Sequence, residues 1–413
     1  MQSRWSDEDA RRYSEEALAA GQPAELGLRV YSSRIIGQDP DLVLHGGGNT
    51  SVKINSDQGA VIHVKGSGWD LGDIQAPGLP AMWLAPLLKA RQIKVMSDPD
   101  MVAFLRENLL DPAAPTPSVE ALLHAFLPFS FVDHTHATAI LALADQDDME
   151  ETVARLYGGR VGYVPYVMPG FDLSHACDAA FAADRNVEGL WLAKHGLFTF
   201  GATAEESYAR MIEFVTMAEA ELAARGALPG GPEANTGESD PAFEAALVAE
   251  LAARQGLGDQ PALNFRASPS ILKLLDRPDL AEIVHRGTAT PDHVIRLKPF
   301  PLIVAKGADR AAIGAALDAF AANYRAYFER NAPHASEPKT VLDSLPRAVL
   351  VPGLGLFGLG ANAKAAAIAG DLWEQSARVI LSAEAAGRYA PISERELFDM
   401  EYWSLEQAKL QKK

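Results

Sequence analysis

Residues 190–203 read Leu-Trp-Leu-Ala-Lys-His-Gly-Leu-Phe-Thr-Phe-Gly-Ala-Thr. An apolar run (Leu190–Leu192) leads to a turn at Gly196, a second run (Phe198–Phe200) and a helix starting at Thr203. Thr203 followed by Glu206 is a capping box, and apolar residues recur behind it at helical spacing to Arg225. The pattern returns in residues 349–362, Val-Leu-Val-Pro-Gly-Leu-Gly-Leu-Phe-Gly-Leu-Gly-Ala-Asn. Gly-Leu-Phe recurs at a fixed offset (355 − 196 = 159), and Asn362 stands where Thr203 stood, another good cap residue. Asp133-His134 recurs at that offset as Asp292-His293, and Pro117-Ser118 through His124 loosely echoes Pro278-Asp279 through His285. Duplication is the expectation, giving two related domains.

Working outward, Gly226–Pro241 (GALPGGPEANTGESDP) has no apolar period and enough Gly, Pro and acid to be read as a linker unable to order itself. It separates an expected domain of residues 1–225 from a second of residues 242–413. Helical stretches near Ser6–Gly37, Pro80–Gln92 and Ser118–Phe126 alternate with strand-like runs at Leu42–Leu44, Val61–Val64, Phe131–Leu143, Leu190–Leu192 and Phe198–Phe200. That mixture predicts an α/β fold on a central sheet.

His134 and His136 are two apart in a β-rich run, so a strand projects both imidazoles from one side. His195, at the turn before Gly196, can supply a third nitrogen. Three protein ligands with one open position are the catalytic pattern for zinc or a similar divalent metal. In the second half His136 becomes Ile295, His195 becomes Leu354 and Lys194 becomes Gly353, so that domain reads as a copy that lost its site. A metal is therefore expected in the first domain alone.

Two glycine segments lie upstream. His45-Gly-Gly-Gly-Asn49-Thr50-Ser51 offers open backbone N–H groups and three polar side chains; Lys65-Gly66-Ser67-Gly68 offers a cation, a hydroxyl and open backbone. Beside a Lewis acid they read as a phosphate cradle. Gly353-Leu-Gly355-Leu-Phe-Gly358 satisfies G-x-G-x-x-G, with Asp371 nearby. Its equivalence to the Lys194–Thr199 segment and the few residues that follow argue against a dinucleotide site. His124, four residues after Glu120, reads as a structural histidine.

A net charge of −17 disfavours nucleic acid and anionic membranes as partners. The single cysteine, Cys177, excludes an intrachain disulfide and reads as a buried apolar residue in a reducing compartment. The first sixteen residues are polar and charged, and no run of eighteen apolar residues occurs, so a cytoplasmic protein is expected.

The segments HGGGNTSVK, VKGSG, PSVEALLH, DHTH, VPYVMPG and KHGLFTFG, in that order over residues 45–201, resemble the class II aldolase/adducin family. The resemblance implies a three-layer α/β/α domain with zinc on His134, His136 and His195. It implies Glu120 as the catalytic acid/base, and phosphate held by Asn49, Ser51, Ser67 and Gly68. Within the family the chain is most similar to the aldolase portion of bifunctional rhamnulose-1-phosphate aldolase/short-chain dehydrogenase proteins, a likeness that includes Phe398–Leu410. It departs from them by stopping where the dehydrogenase begins, and from the usual Ser-Ser-Glu by Ser118-Val119-Glu120, which leaves Ser118 alone on the phosphate side. The implied activity is aldol cleavage of a small phosphorylated ketose by a homo-oligomer. Epimerases, decarboxylases and dehydratases share such a site, and a non-enzymatic adducin-like module is the rival of another class.

Overall fold

A computed structural model describes residues 1–405 and 407. Glu406 and residues 408–410 of the closing stretch lie outside the described residues. The chain divides into two compact units, residues 1–144 with 148–224, and residues 145–147 with 225–413. No helix among the described residues is long and apolar enough to cross a membrane.

The first unit runs α1 (Asp7–Ala19), α2 (Ala24–Gly37), β1 (Asn49–Ser56), β2 (Gly59–Val64), β3 (Ala81–Trp83), α3 (Leu84–Lys89), α4 (Asp98–Glu107), α5 (Ala121–Phe126), β4 (Phe131–Thr135), α6 (Thr138–Ala144), α7 (Met149–Tyr157), β5 (Val161–Val164), α8 (Phe171–Ala183), β6 (Gly189–Leu192), β7 (Gly196–Gly201) and α9 (Ala204–Ala224). Its seven strands lie in the order β3-β2-β1-β4-β7-β6-β5. Every neighbouring pair is antiparallel except β5 and β6. Helices α2, α6 and α9 cover one face and α3, α5 and α8 the other, making three layers. Strand alternation sorts β4 between them. Val132 packs with Leu123 of α5 and Leu173 of α8, while Asp133 meets Arg29 of α2 and Ser207 of α9.

Some local readings change. The first helical stretch breaks at Gly21 (φ +72°), and Pro23 restarts it as the N-cap of α2. Leu42 and Val43 are buried, but residues 42–44 form no strand. The run Phe131–Leu143 is strand only to Thr135 and helix from Thr138, an ambiguity inherent in a run buried on all sides.

The second unit runs α10 (Pro241–Arg254), β8 (Ala262–Arg266), α11 (Pro269–Leu275), α12 (Leu280–Ile283), α13 (Pro291–Leu297), β9 (Leu302–Ile303), α14 (Arg310–Asn331), β10 (Ala348–Val351), β11 (Gly355–Gly360), α15 (Ala363–Ala386) and α16 (Glu394–Glu401). Its sheet, β8-β11-β10-β9, repeats β4-β7-β6-β5 in order and direction, with β9–β10 the parallel pair. The caps match too: Thr203 Oγ1 accepts from Glu206 N at 3.1 Å and Asn362 Oδ1 from Ala365 N at 2.9 Å. Among the described residues the second unit is thus a reduced, four-stranded version of the first. The fixed offset nevertheless fails upstream. Asp292-His293 lies on α13, not on a strand, and His285 is exposed where His124 is buried. The place of β4 is taken by β8, where Phe265 pairs with Phe357 as His134 pairs with Phe198. The counterparts of the three histidines are therefore Phe265, Ala267 and Leu354.

The Gly-x-Gly-x-x-Gly segment is an antiparallel hairpin, with Val351 opposite Gly355, and not a strand-to-helix turn. The expected linker is irregular but ordered by hydrogen bonds. Ala267 N donates to Asn235 Oδ1 at 2.8 Å, and Thr236 N donates to Ala267 O at 3.0 Å. Asn235 Nδ2 donates to Phe265 O at 3.2 Å, so polar side chains do there what an apolar period would not, covering the edge of β8. Near the end of the chain Glu401 is buried against Lys298 (3.4 Å) and the Tyr324 hydroxyl (2.7 Å), which anchors α16 in that unit.

Candidate metal centre

Strand β4 aims His134 at the α5–α8 side, and His136 follows on the same side just beyond its end. The hairpin turn between β6 and β7 brings in His195. Their nitrogens all lie within 4.8 Å of one another, and all three residues are buried. His134 Nε2 and His136 Nε2 are 3.0 Å apart. That is close to the edge of a zinc tetrahedron, roughly 3.3 Å for Zn–N bonds of about 2.0 Å. His134 Nδ1 donates to Leu197 O at 3.1 Å, which leaves Nε2 as the lone-pair atom, and the ring lies flat on Phe198 at 4.0 Å. Burial, reinforced by the neighbouring rings, holds protonation of His134 and His195 well below the usual imidazole range. Neutral, convergent, pre-oriented imidazoles are what a divalent transition metal takes, so the donor set fits zinc.

Two glycines make the convergence possible. A Cβ on Gly196 would lie 2.4 Å from Thr135 O and 3.1 Å from both the His134 and His136 rings. A Cβ on Gly47 would lie 2.9 Å from Leu44 O and 3.4 Å from His136 Nδ1. The second unit keeps the first requirement, since a Cβ on Gly355 would lie 2.6 Å from the Phe265 ring. Gly196→Ala is expected to weaken metal binding about 10- to 100-fold, as other disturbances of supporting contacts do. Competition titration against a chromogenic chelator measures it.

Glu120 sits at the N-cap of α5, one residue before the helix expected to contain it. Its carboxylate oxygens approach His134 Nε2 at 3.7 Å and His195 Nε2 at 3.8 Å, and the residue is 5% exposed. Asn49 Nδ2 donates to Glu120 Oε2 at 2.5 Å and to Ser118 Oγ at 3.2 Å. Lys65 Nζ donates to Gly46 O at 3.0 Å and ties the two glycine loops together. Ser67 and Gly68 are exposed on a loop that runs along residues 116–118, with Ser67 N donating to Thr116 O and Ser118 N to Lys65 O.

Two expected phosphate contacts are placed elsewhere. Thr50 faces α2, its hydroxyl 2.8 Å from Ser33 Oγ, because alternation along β1 sends it to the opposite side from Asn49 and Ser51. Ser51 is on the correct side but fully buried, its hydroxyl 2.8 Å from His124 Nδ1. Sequence reasoning missed the clamp on the other face. Arg29 and Asp133 pair at 2.6 Å with neither exposed, and Ser207 Oγ donates to Asp133 Oδ2 at 2.6 Å. The available signal was the polar residue alternating with the histidines in β4.

Three imidazoles and a carboxylate gathered on one side of a seven-stranded α/β/α sheet, followed by a reduced copy of that sheet, define a two-domain protein of the class II aldolase kind. The chain belongs to the class II aldolase/adducin family. Residues 30–222 match the Class II Aldolase and Adducin N-terminal domain, and residues 240–410 match Aldolase class II, second domain. It is 32% identical over 414 aligned residues to "Uncharacterized oxidoreductase YuxG" of Bacillus subtilis (strain 168), an alignment covering 95% of this chain and 59% of that protein. The chain thus spans about three-fifths of that relative's length. The N-terminal class II aldolase domain of a conserved protein from Thermoplasma acidophilum is 40% identical, covering 53% of this chain and 98% of that one, with a TM-score of 0.46. L-fuculose-1-phosphate aldolase from Thermus thermophilus is 18% identical, covering 54% of this chain and all of that one, with a TM-score of 0.34.

Proposed function

We propose that the first unit catalyses reversible aldol cleavage of a ketose 1-phosphate, such as rhamnulose 1-phosphate, to dihydroxyacetone phosphate and a hydroxyaldehyde. The observation that carries this is the Glu120 carboxylate held within 4 Å of two of three convergent, buried imidazoles. Zinc on His134, His136 and His195 supplies Lewis acidity toward the substrate carbonyl and its neighbouring hydroxyl. Glu120 moves the proton to and from the carbon next to that carbonyl, where the C–C bond breaks or forms. Asn49, hydrogen-bonded to Glu120, fixes the carboxylate in place. Ser67, Gly68 and the backbone of Gly46–Gly48 are assigned the phosphate, with Ser118 and Lys65 beside them. Thr50 and Ser51 are left out because their hydroxyls are turned elsewhere. Burial of the site keeps water from the carbanionic carbon. The substrate is a small sugar phosphate; a homo-oligomer in the cytoplasm is part of the same proposal.

The test is a panel of ketose 1-phosphates assayed for released dihydroxyacetone phosphate. Release with at least one sugar, abolished by a chelator and restored by zinc, is expected. Metal-loaded protein that releases none from any would overturn the proposal.

A further inference from the structure

His124 belongs to no predicted ligand set, yet it is fully buried one turn behind Glu120 and contacts the side chains of Asn49 and Ser51 at the start of β1. Its Nδ1 lies 2.8 Å from Ser51 Oγ, and its Nε2 is hydrogen-bonded to Asn49 Oδ1. The proton positions in this chain follow by elimination. Asn49 Nδ2 donates to both Glu120 Oε2 and Ser118 Oγ, so the group facing the carboxylate is the NH2. The Asn49 carbonyl must then face His124, whose Nε2 carries the hydrogen. A neutral imidazole has one N–H, so Nδ1 accepts from the Ser51 hydroxyl. Burial favours that neutral form, as do Arg29 and Lys53, whose Nζ donates to His124 O at 2.6 Å.

We propose that His124 is a positioning residue: through a Ser51–His124–Asn49 relay it fixes the Asn49 carboxamide with its NH2 toward Glu120, and so sets the pose of that carboxylate. Without His124 the carboxamide can flip and present its oxygen to Glu120, a repulsive contact that displaces the carboxylate. Asn49 is thereby tied to the proton-transfer group, and Ser51 serves it from behind. The functional consequence presupposes the aldolase activity proposed above; the geometric one does not.

Two variants separate positioning from mere packing. His124→Met fills the space and removes both hydrogen bonds. His124→Gln can still donate to Asn49 from near the Nε2 position. Both are expected to bind one metal per chain and melt within a few degrees of the wild type. The Met variant should lose about 10- to 100-fold in kcat with little change in KM, and the Gln variant should recover to within about threefold of wild type. Crystal structures provide a readout independent of activity. In the Met variant the Asn49 Nδ2 to Glu120 contact should open beyond hydrogen-bonding range, while in the Gln variant it should persist. An unchanged contact in the Met variant overturns the proposal, as does an equal loss of kcat in both variants accompanied by lost metal or fold. A wild type inactive on every sugar phosphate would instead remove the aldolase reading, and the structural arm would still decide the role of His124.

Discussion

Glu120→Gln is expected to slow turnover by about 100- to 10,000-fold while leaving metal content and the fold unchanged. The amide keeps the shape of the carboxylate and can still bond to Asn49, but it cannot take or return a proton. The expected loss is the typical worth of positioned general acid/base catalysis. Because Glu120 approaches two of the three imidazoles, the control is metal analysis of the same preparation. A large fall in kcat with one metal still bound assigns the proton to Glu120. Unchanged turnover would reduce it to a structural carboxylate at the start of α5.

Arg29→Met is expected to destabilise the first unit by about 3–5 kcal/mol, because it leaves the Asp133 carboxylate buried without its countercharge. The pair lies at 2.6 Å with both side chains fully buried, and Arg29 also donates to Ser51 O at 3.1 Å. The loss should appear as faster hydrogen exchange in β1 and β4 and an earlier urea transition in that unit. The double variant Arg29→Met/Asp133→Leu should be much less damaging, since removing both charges removes the desolvation penalty with the attraction. If the double variant proved as unstable as the single one, packing and not the unpaired charge would be the cause.

Much of this could be read from the chain. Alternation along a strand put His134 and His136 on one side, and the caps at Thr203 and Asn362 located the same hairpin–helix unit twice. Other features depend on pairing that sequence spacing does not record. The offset of 159 holds from the hairpin onward but fails upstream, where β8 and not Asp292-His293 takes the place of β4. A short dipeptide match carries no pairing information, whereas the glycine that must clear a ring, Gly196 over His134 and Gly355 over Phe265, does. Thr50 looked like Asn49 and Ser51 in a glycine-rich loop. Once that loop becomes the start of β1, a one-residue step turns its hydroxyl to the other side of the sheet. Gly226–Pro241 lacks an apolar period but gains order from polar contacts along β8, which composition does not reveal.

The central claim is a single metal centre on His134, His136 and His195 in the first unit, with none in the second. Elemental analysis of the purified protein beside His134→Ala, His136→Ala and His195→Ala tests it most directly. One zinc per wild-type chain is expected, with strong depletion in each variant while circular dichroism stays unchanged. Two metals per wild-type chain, or a full complement retained in all three variants, would contradict it.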